Sequence, residues 1–407
     1  MSIKHSLLLF LSPSSSLGGA ERVLFNNLKF LATEELGIKQ KVFFVEDGPL
    51  VQEVSKLNIP FEVKNIPLSI KKLGNLPSKK KCLIARWFKF FFLIPIFLIL
   101  IFRWKKWLRN DAPALIHSNG FKTHIISGLS SSRETPVLWH LHDFSGNKLL
   151  SRWLLKLSWR PGIQAIAISR SIADDFHKVI PKCPVHIWYN SVDGEKFHPR
   201  KVDGSWLDLE AGFEAGFQGT RVGLVATYAK WKGHDVFLRA CQFLSGKFKD
   251  NVRFYLIGGA IYQTTGSQWT NEEIIGMVRS FNLLGQVGLV PFQKDTSKVY
   301  QSLDVVVHAS IQPEPFGLVI TEAMACGKPV VASLHGGAAE IGVDGVHCVG
   351  HEPGNPSSLA AAMELLIRDE ALRQKLGFKA RERVLATFSA GKILPNWQNL
   401  LGEIKIK

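Results

Sequence analysis

The 407-residue sequence predicts an α/β protein of two domains, each built on a parallel β-sheet. Three observations carry this. The chain is longer than one ordinary hydrophobic core supports. Short β-branched runs recur through both halves, each followed by a Gly-rich or polar turn and a helical stretch, the pattern of parallel strand–turn–helix units. One stretch shows the unit whole. Leu303–Ser310 reads as a buried strand, and Leu318 to Cys326 as a short helix. Gly327 stands where a C-cap glycine belongs, and Pro329 ends that helix and opens the strand Pro329–Ala332.

Taken in order, Ile3–Leu11 is the first strand. Its apolar run, Leu7–Leu11, is too short for a signal peptide. Pro13–Arg22 is a Gly/Ser loop, with Gly18 and Gly19, opening a helix to about Thr33. Strand, flexible loop and helix N-terminus make a phosphate-friendly geometry. Lys41–Glu46, Ala114–Gly120, Pro136–Asp143 and Gln164–Arg170 read as further strands, and Ser169 caps a helix to about Val179. Val185–Asp193 closes a first domain of residues 1–195, and the polar, poorly periodic segment 196–218 reads as a linker. The second domain, 219–387, has strands at Thr220–Ala226, Val252–Gly259, Val287–Phe292, Leu303–Ser310 and Pro329–Ala332, then a helical pattern over 355–388. Residues 388–407, with Trp397, form a last helix that crosses back to the first domain.

The net charge is +16, yet residues 71–109 hold eleven Lys or Arg and no acid, leaving about +5 for the rest. Inside this insertion Phe90–Phe102 is an uncharged run of thirteen residues, short of the eighteen or so a spanning helix needs. Three readings compete: a spanning helix, a buried crossover helix, and a helix or hairpin in a membrane interface. Flanking strands of one sheet argue against spanning. The interface is favoured because Trp87, Phe90, Phe91, Phe92, Trp104 and Trp107 suit headgroup depth, and Lys105 and Lys106 suit anionic lipid. Basic charge set beside an apolar run, rather than along a solvated groove, speaks against nucleic acid. Five scattered cysteines with no C-x-x-C pair fit a reduced cytosolic compartment without a zinc site.

The candidate chemistry sits in loops after strands. In the loop Pro313–Gly317, Gly317 lets a phosphate approach the amides that open the next helix, around Phe316, Leu318 and Val319. Glu314 and Glu322 are too far apart along the helix to share one partner, so they grip different parts of one ligand, and carboxylates grip the hydroxyls of sugars and riboses. Lys232, before a helix and beside Gly233, can reach a diphosphate. His140 and His142 share a strand face, but two histidines and Asp143 make a poor metal signature.

The run Glu314-Pro-Phe-Gly-Leu-Val-Ile-Thr-Glu-Ala-Met-Ala-Cys-Gly-Lys-Pro-Val-Val-Ala332 resembles the signature of the retaining family-4 glycosyltransferases. Gly18-Gly19-Ala20-Glu21-Arg22, His140-Leu-His-Asp143, Asn190-Ser-Val-Asp193, Lys232-Gly233 and Gly336-Gly-Ala-Ala-Glu340 are similar to further motifs of that family, so the likeness covers nearly all the chain outside 66–112 and the linker. Two departures stand out: Ser191 replaces a glycine, and Ala226-Thr227 replaces Gly-Arg, with Lys230 the stand-in for the arginine. The resemblance implies a GT-B fold, two Rossmann-like domains facing across a cleft, and a nucleotide-diphosphate-sugar as donor substrate, with no cofactor and no metal. It implies donor contacts at Gly18, Gly19, Thr227, Lys230, Lys232, Phe316, Gly317, Leu318, Val319 and Glu322. Glu314 would hold sugar hydroxyls, Glu322 the ribose and Lys232 the diphosphate. His142 would lie beside the transferred sugar, with Asn119 and His140 on the acceptor side. Together with the basic insertion it suggests a glycan or lipid-linked acceptor at an anionic membrane surface, with the protein peripheral on the cytoplasmic face. The competing readings are a non-catalytic binding module, a transferase for soluble acceptors, and an epimerase or phosphorylase of similar fold.

Overall fold

A computed structural model describes residues 6–16, 18–33, 38–66, 83–145, 149–260 and 266–404; for 83–93 and Gln398 it describes backbone only. The chain forms two compact units, Met1–Trp188 with Leu394–Lys407, and Tyr189–Ile393. The first holds strands β1 (Leu7–Ser12), β2 (Lys39–Phe44), β3 (Phe61–Val63), β4 (Leu115–Ser118), β5 (Val137–Leu141), β6 (Ile163–Ala167) and β7 (Val185–Ile187). They lie in the order β3-β2-β1-β4-β5-β6-β7, and their pairings are parallel. The second unit holds β8 (Thr220–Val225), β9 (Val252–Ile257), β10 (Val287–Val290), β11 (Val305–His308), β12 (Val330–Ser333) and β13 (Val349–His351). Their order is β10-β9-β8-β11-β12-β13, again parallel. Both are Rossmann-like sheets, as the sequence predicts.

The central strands are buried on both faces. Leu9, Phe10, Leu138 and Trp139 in the first sheet, and Val222, Val305, Val306 and Val331 in the second, are fully covered. This is why they read as near-continuous apolar runs rather than alternating ones. β2 begins two residues earlier than its apolar pattern suggests, because its pairing with β1 runs from Leu7↔Lys39 to Ser12↔Phe44. The C-terminal return to the first unit is present. Trp397 is fully buried there, its ring 6.5 Å from Phe10, 5.5 Å from His117 and 5.2 Å from Trp188.

Two expectations need correction. The predicted linker contains a helix, Ser205–Glu210, packed into the second unit. Its Asp208 is fully buried and pairs with Arg221 at 2.7 Å and Arg253 at 3.4 Å, and Tyr255 also donates to it. A polar, aperiodic stretch hides such an anchor, since its partners lie on β8 and β9.

Among its described residues the insertion forms the helix Leu83–Asp111, running through Pro95. Trp104, expected at headgroup depth, is instead fully buried against Phe43 (6.0 Å, edge-on) and Trp107 (5.6 Å). Trp107 is half-buried, with Lys64 over its ring at 4.6 Å and Arg103 at 5.2 Å. Leu100, Trp104 and Leu108 recur every four residues and form the buried stripe. Lys105 and Lys106 are exposed, as are Leu98, Ile99 and Phe102 on the opposite side. The side chains of Trp87, Phe90, Phe91 and Phe92 lie outside the described residues. Among the described residues no helix is long and apolar enough to cross a membrane.

The connections β3→β4, β4→β5 and β5→β6 all step the same way across the sheet. Right-handed crossovers therefore put helices Leu83–Asp111, Phe121–Ser130 and Leu149–Ser158 in one layer on one face. Phe121–Ser130 packs between the other two.

Candidate functional site

In an open parallel sheet, ligands bind beyond the carboxyl ends of the strands, where the order reverses. In the second unit that point lies between β8 and β11. The loop after β8 carries a single 3₁₀ turn, Lys230–Lys232, and the loop after β11 carries Glu314. Gly233 links the turn to helix His234–Ser245 at φ 74°, and a Cβ there would fall 2.0 Å from the Ala309 carbonyl oxygen. Only glycine lets the two loops approach this closely.

Topology thus brings Lys232 onto Glu314. The ammonium donates to both carboxylate oxygens, at 2.9 and 2.8 Å. Oε2 also accepts from Ser310 Oγ at 2.8 Å and lies 2.8 Å from His308 Nε2. Backbone bonds fix the loop: Glu314 N–H donates to His335 at 3.0 Å, and Gly337 N–H donates to the Glu314 carbonyl at 2.7 Å. Burial alone would raise the Glu314 pKa, but the Lys232 charge and the His308 hydrogen bond outweigh it and hold the carboxyl well below its usual range. The group is a fixed anion whose Oε1 accepts from Lys232 and whose Oε2 is crowded.

Downstream, Gly317 takes φ 113° and caps helix Leu318–Ala325, so the backbone at Leu318 and Val319 forms a positive helix start beside Glu314. Phe316 is buried, its ring 6.1 Å from Tyr189 and 5.6 Å from Phe388, and it anchors the loop from below. Glu322 lies further along this helix, and its Oε2 accepts from Tyr300 at 2.9 Å and Thr296 at 3.3 Å. Lys230 lies 4.4 Å over the Trp269 ring, and Thr227 is half-buried just after β8.

In the first unit the order reverses between β1 and β4. Gly18 and Gly19 sit after β1, where Gly19 begins helix Gly19–Thr33 and the Gly18 carbonyl accepts from Arg22 N–H at 3.0 Å. Asn119, after β4, donates through Nδ2 to the Ala20 carbonyl at 3.2 Å and accepts from His142 Nε2 at 2.8 Å. This orientation puts the His142 proton on Nε2 and leaves Nδ1 a bare lone pair. Burial pushes the His142 pKa down to about 3, so the ring is neutral near pH 7.

His140, expected on the acceptor side, is fully buried. Its ring lies 4.0 Å from that of His142 and 5.3 Å from that of His117. It lies within β5, beneath His142, which follows the strand end. Among the described residues no three His, Cys, Asp or Glu are placed to share a metal ion.

Comparison with known proteins bears on this arrangement. The model of Glycosyltransferase Family 4 matches residues 17–196, and that of Glycosyl transferases group 1 matches residues 218–383, so the two together span most of the chain. The chain belongs to the group 1, family 4 glycosyltransferases. D-inositol 3-phosphate glycosyltransferase of Corynebacterium diphtheriae is 31% identical over 185 residues, 45% of this chain and 42% of that protein. Spore coat protein SA of Bacillus subtilis is 27% identical over 219 residues, 51% of this chain and 56% of its own length. The chain thus spans about half the length of these two relatives. The crystal structure of Anabaena Alr3699/HepE in complex with UDP-glucose matches at a TM-score of 0.77 with 24% identity, covering 98% of this chain and 100% of that one, and it shows the fold to be GT-B.

Sequence reasoning missed four side chains that hold the two glutamates. His308 and Ser310 close off β11, and their i, i+2 spacing puts both on one face; that signal was present. Tyr300 and Thr296 lie on helix Thr296–Ser302, and nothing local in the sequence points to their role.

Proposed function

We propose that this protein is a retaining, metal-independent glycosyltransferase. It moves a hexose-type sugar from a nucleotide-diphosphate-sugar to an acceptor hydroxyl, on a lipid-linked saccharide or glycolipid at the cytoplasmic membrane face, in cell-envelope polysaccharide synthesis. The observation that carries this is the Lys232–Glu314 pair at the switch point of the second sheet, beside the start of helix Leu318–Ala325. Cationic and amide charge there suits a leaving diphosphate, which gains negative charge as the sugar–oxygen bond breaks. The likeness to a fold solved with UDP-glucose supports such a donor.

In this reading Lys232 turns from Glu314 toward the diphosphate, and Glu314, held by His308 and Ser310, accepts sugar hydroxyls through Oε1. Glu322, aligned by Tyr300, accepts from the ribose. Neutral His142 accepts a hydroxyl at Nδ1. The departing phosphate oxygen takes the acceptor proton, so the mechanism differs from the two-carboxylate plan of glycosidases. Exposed Leu98, Ile99, Phe102, Lys105 and Lys106 support a membrane-borne acceptor.

Labelled nucleotide sugars offered with extracted lipids and, separately, with water-soluble glycans test the proposal. Label entering the lipid phase, with the anomeric configuration kept by NMR, is the expected result. Label reaching only soluble glycans overturns the lipid acceptor, and no turnover of any donor overturns the transferase.

A further inference from the structure

Helix Leu149–Ser158 has an apolar face that is uncovered among the described residues. Leu155 and Ser158 are buried toward the core. Around the other side Leu149 (84% exposed), Leu150, Trp153 (56%) and Leu157 (54%) stand in solvent. At 100° per residue these four fall within one arc of about a quarter turn, opposite the buried face. Arg152 and Lys156 flank one edge of the arc. Sequence periodicity does not single out this helix, because its buried and exposed leucines look alike until the packing is known.

Its position adds to the case. The helix lies in the layer that also contains Phe121–Ser130 and the insertion helix. On the latter, Ile94, Leu98 (61%), Ile99 and Phe102 (72%) are exposed. The next turns of that side carry exposed Lys105, Lys106 and Arg109. By sequence the three helices hold nine Lys or Arg and a single acid, Asp111, which is paired to Lys41 at 2.8 Å. Exposed leucines and a tryptophan framed by cations, with Arg152 donating to the Lys178 carbonyl at 3.3 Å, match a bilayer surface, with apolar side chains at acyl depth, indole at the headgroups and cations on lipid phosphates. A protein partner would ordinarily bring acids to so basic a rim, whereas an anionic bilayer supplies them everywhere.

We propose that helix Leu149–Ser158 is a second docking element, which with the exposed side of the insertion helix seats the protein on an anionic lipid bilayer. The inference rests on the membrane part of the proposed function and extends it to a helix that part does not use. Trp153 and Leu157 enter the interface, and Arg152 and Lys156 contact phosphate groups.

Flotation of the full chain with vesicles of phosphatidylglycerol and phosphatidylcholine, and with phosphatidylcholine alone, tests this. Three variants are compared: Trp153→Ser with Leu157→Ser, Arg152→Glu with Lys156→Glu, and Leu98→Ser with Phe102→Ser. The proposal expects the first two to lower the partition coefficient on anionic vesicles about tenfold each, with the thermal midpoint and nucleotide-sugar binding unchanged. Neutral vesicles should bind the wild type weakly. Wild-type flotation of both Leu149–Ser158 variants overturns the inference. If the Leu98/Phe102 variant alone loses binding, the membrane reading survives without this helix. If the Trp153/Leu157 variant instead dissociates a dimer in sedimentation while floating normally, the face is a contact between copies and the inference is overturned. The charge-reversal variant decides the matter should the serine variant fold poorly.

Discussion

At the switch point of the second sheet, Lys232 and Ser310 donate to one carboxylate that His308 also contacts. At that of the first sheet, His142 meets the side chain of Asn119, and beneath it both ring nitrogens of His140 and of His117 lack a hydrogen-bond partner among the described residues. The topologies are alike and the polar chemistry is opposite. The second sheet carries a ready-made ion pair at its switch point, at the cost of burying two charges. The other sheet presents neutral imidazole, which in the proposed function would accept a hydroxyl by lone pair rather than by charge. One fold, duplicated in a chain, thus carries two kinds of polar chemistry through the residues placed after two strands in each sheet.

The contrast is most exposed at Lys232. Lys232→Met leaves the Glu314 anion buried without its counter-ion and should destabilise the second unit by about 3–5 kcal/mol. Adding Glu314→Gln should recover a large part of that loss, as a double-mutant cycle in urea would show. Independent losses would mean that the two charges do not act as a pair.

A comparable loss is expected in the first unit from a residue with no part in chemistry. Trp104→Ala should cost about 3–5 kcal/mol, since the ring is fully buried. Phe102→Ser, two residues away and 72% exposed, should change stability by less than about 0.5 kcal/mol. Equal effects would contradict the division of the insertion helix into a core stripe and an exposed stripe.

Smaller still is Tyr300→Phe, which removes one hydrogen bond to Glu322 and should cost about 1 kcal/mol of donor affinity, raising KM several-fold with kcat nearly kept. A loss confined to kcat would place Glu322 in the chemical step instead.

Acid distinguishes the two units more gently. His117 and His142 have pKa values lowered to about 3 from 6.5, and His124 and His140 are also lowered, all chiefly by burial. Unfolding lets such rings take up protons, so their contribution is whole above about pH 6.5 and is lost as pH falls toward 3. Glu314, lowered from 4.5, contributes above about pH 4.5 and loses that contribution only below it. His234, lowered to about 4, and His351, also lowered, give the second unit a weaker sensitivity of the histidine kind. Thermal scans between pH 7 and 4.5 should show the first unit losing stability faster, and His117→Phe should flatten that slope. A steeper slope for the second unit would contradict the assignment.

Much of this was legible before the structure. Glu314, Lys232, Gly233 and Gly317 stand in loops whose strand–loop–helix pattern is local, so their places in the fold could be read from type and spacing, whereas the Lys232–Glu314 pairing could not. Trp104 misled because Arg103, Lys105 and Lys106 surround it with charge, although its spacing from Leu100 and Leu108 marks a buried stripe. Asp208 misled because its partners come from two strands distant in sequence. Tyr300 was invisible for the same reason, since its role depends on helix packing and not on any pattern near it.

The proposed role of Lys232, drawn from Glu314 to steady a leaving diphosphate, is tested by release of nucleoside diphosphate from a panel of nucleotide sugars by the wild type and by Lys232→Met. Turnover of at least one donor by the wild type and a loss of about 10²–10³-fold in the variant are expected. Equal turnover by the two proteins would contradict it.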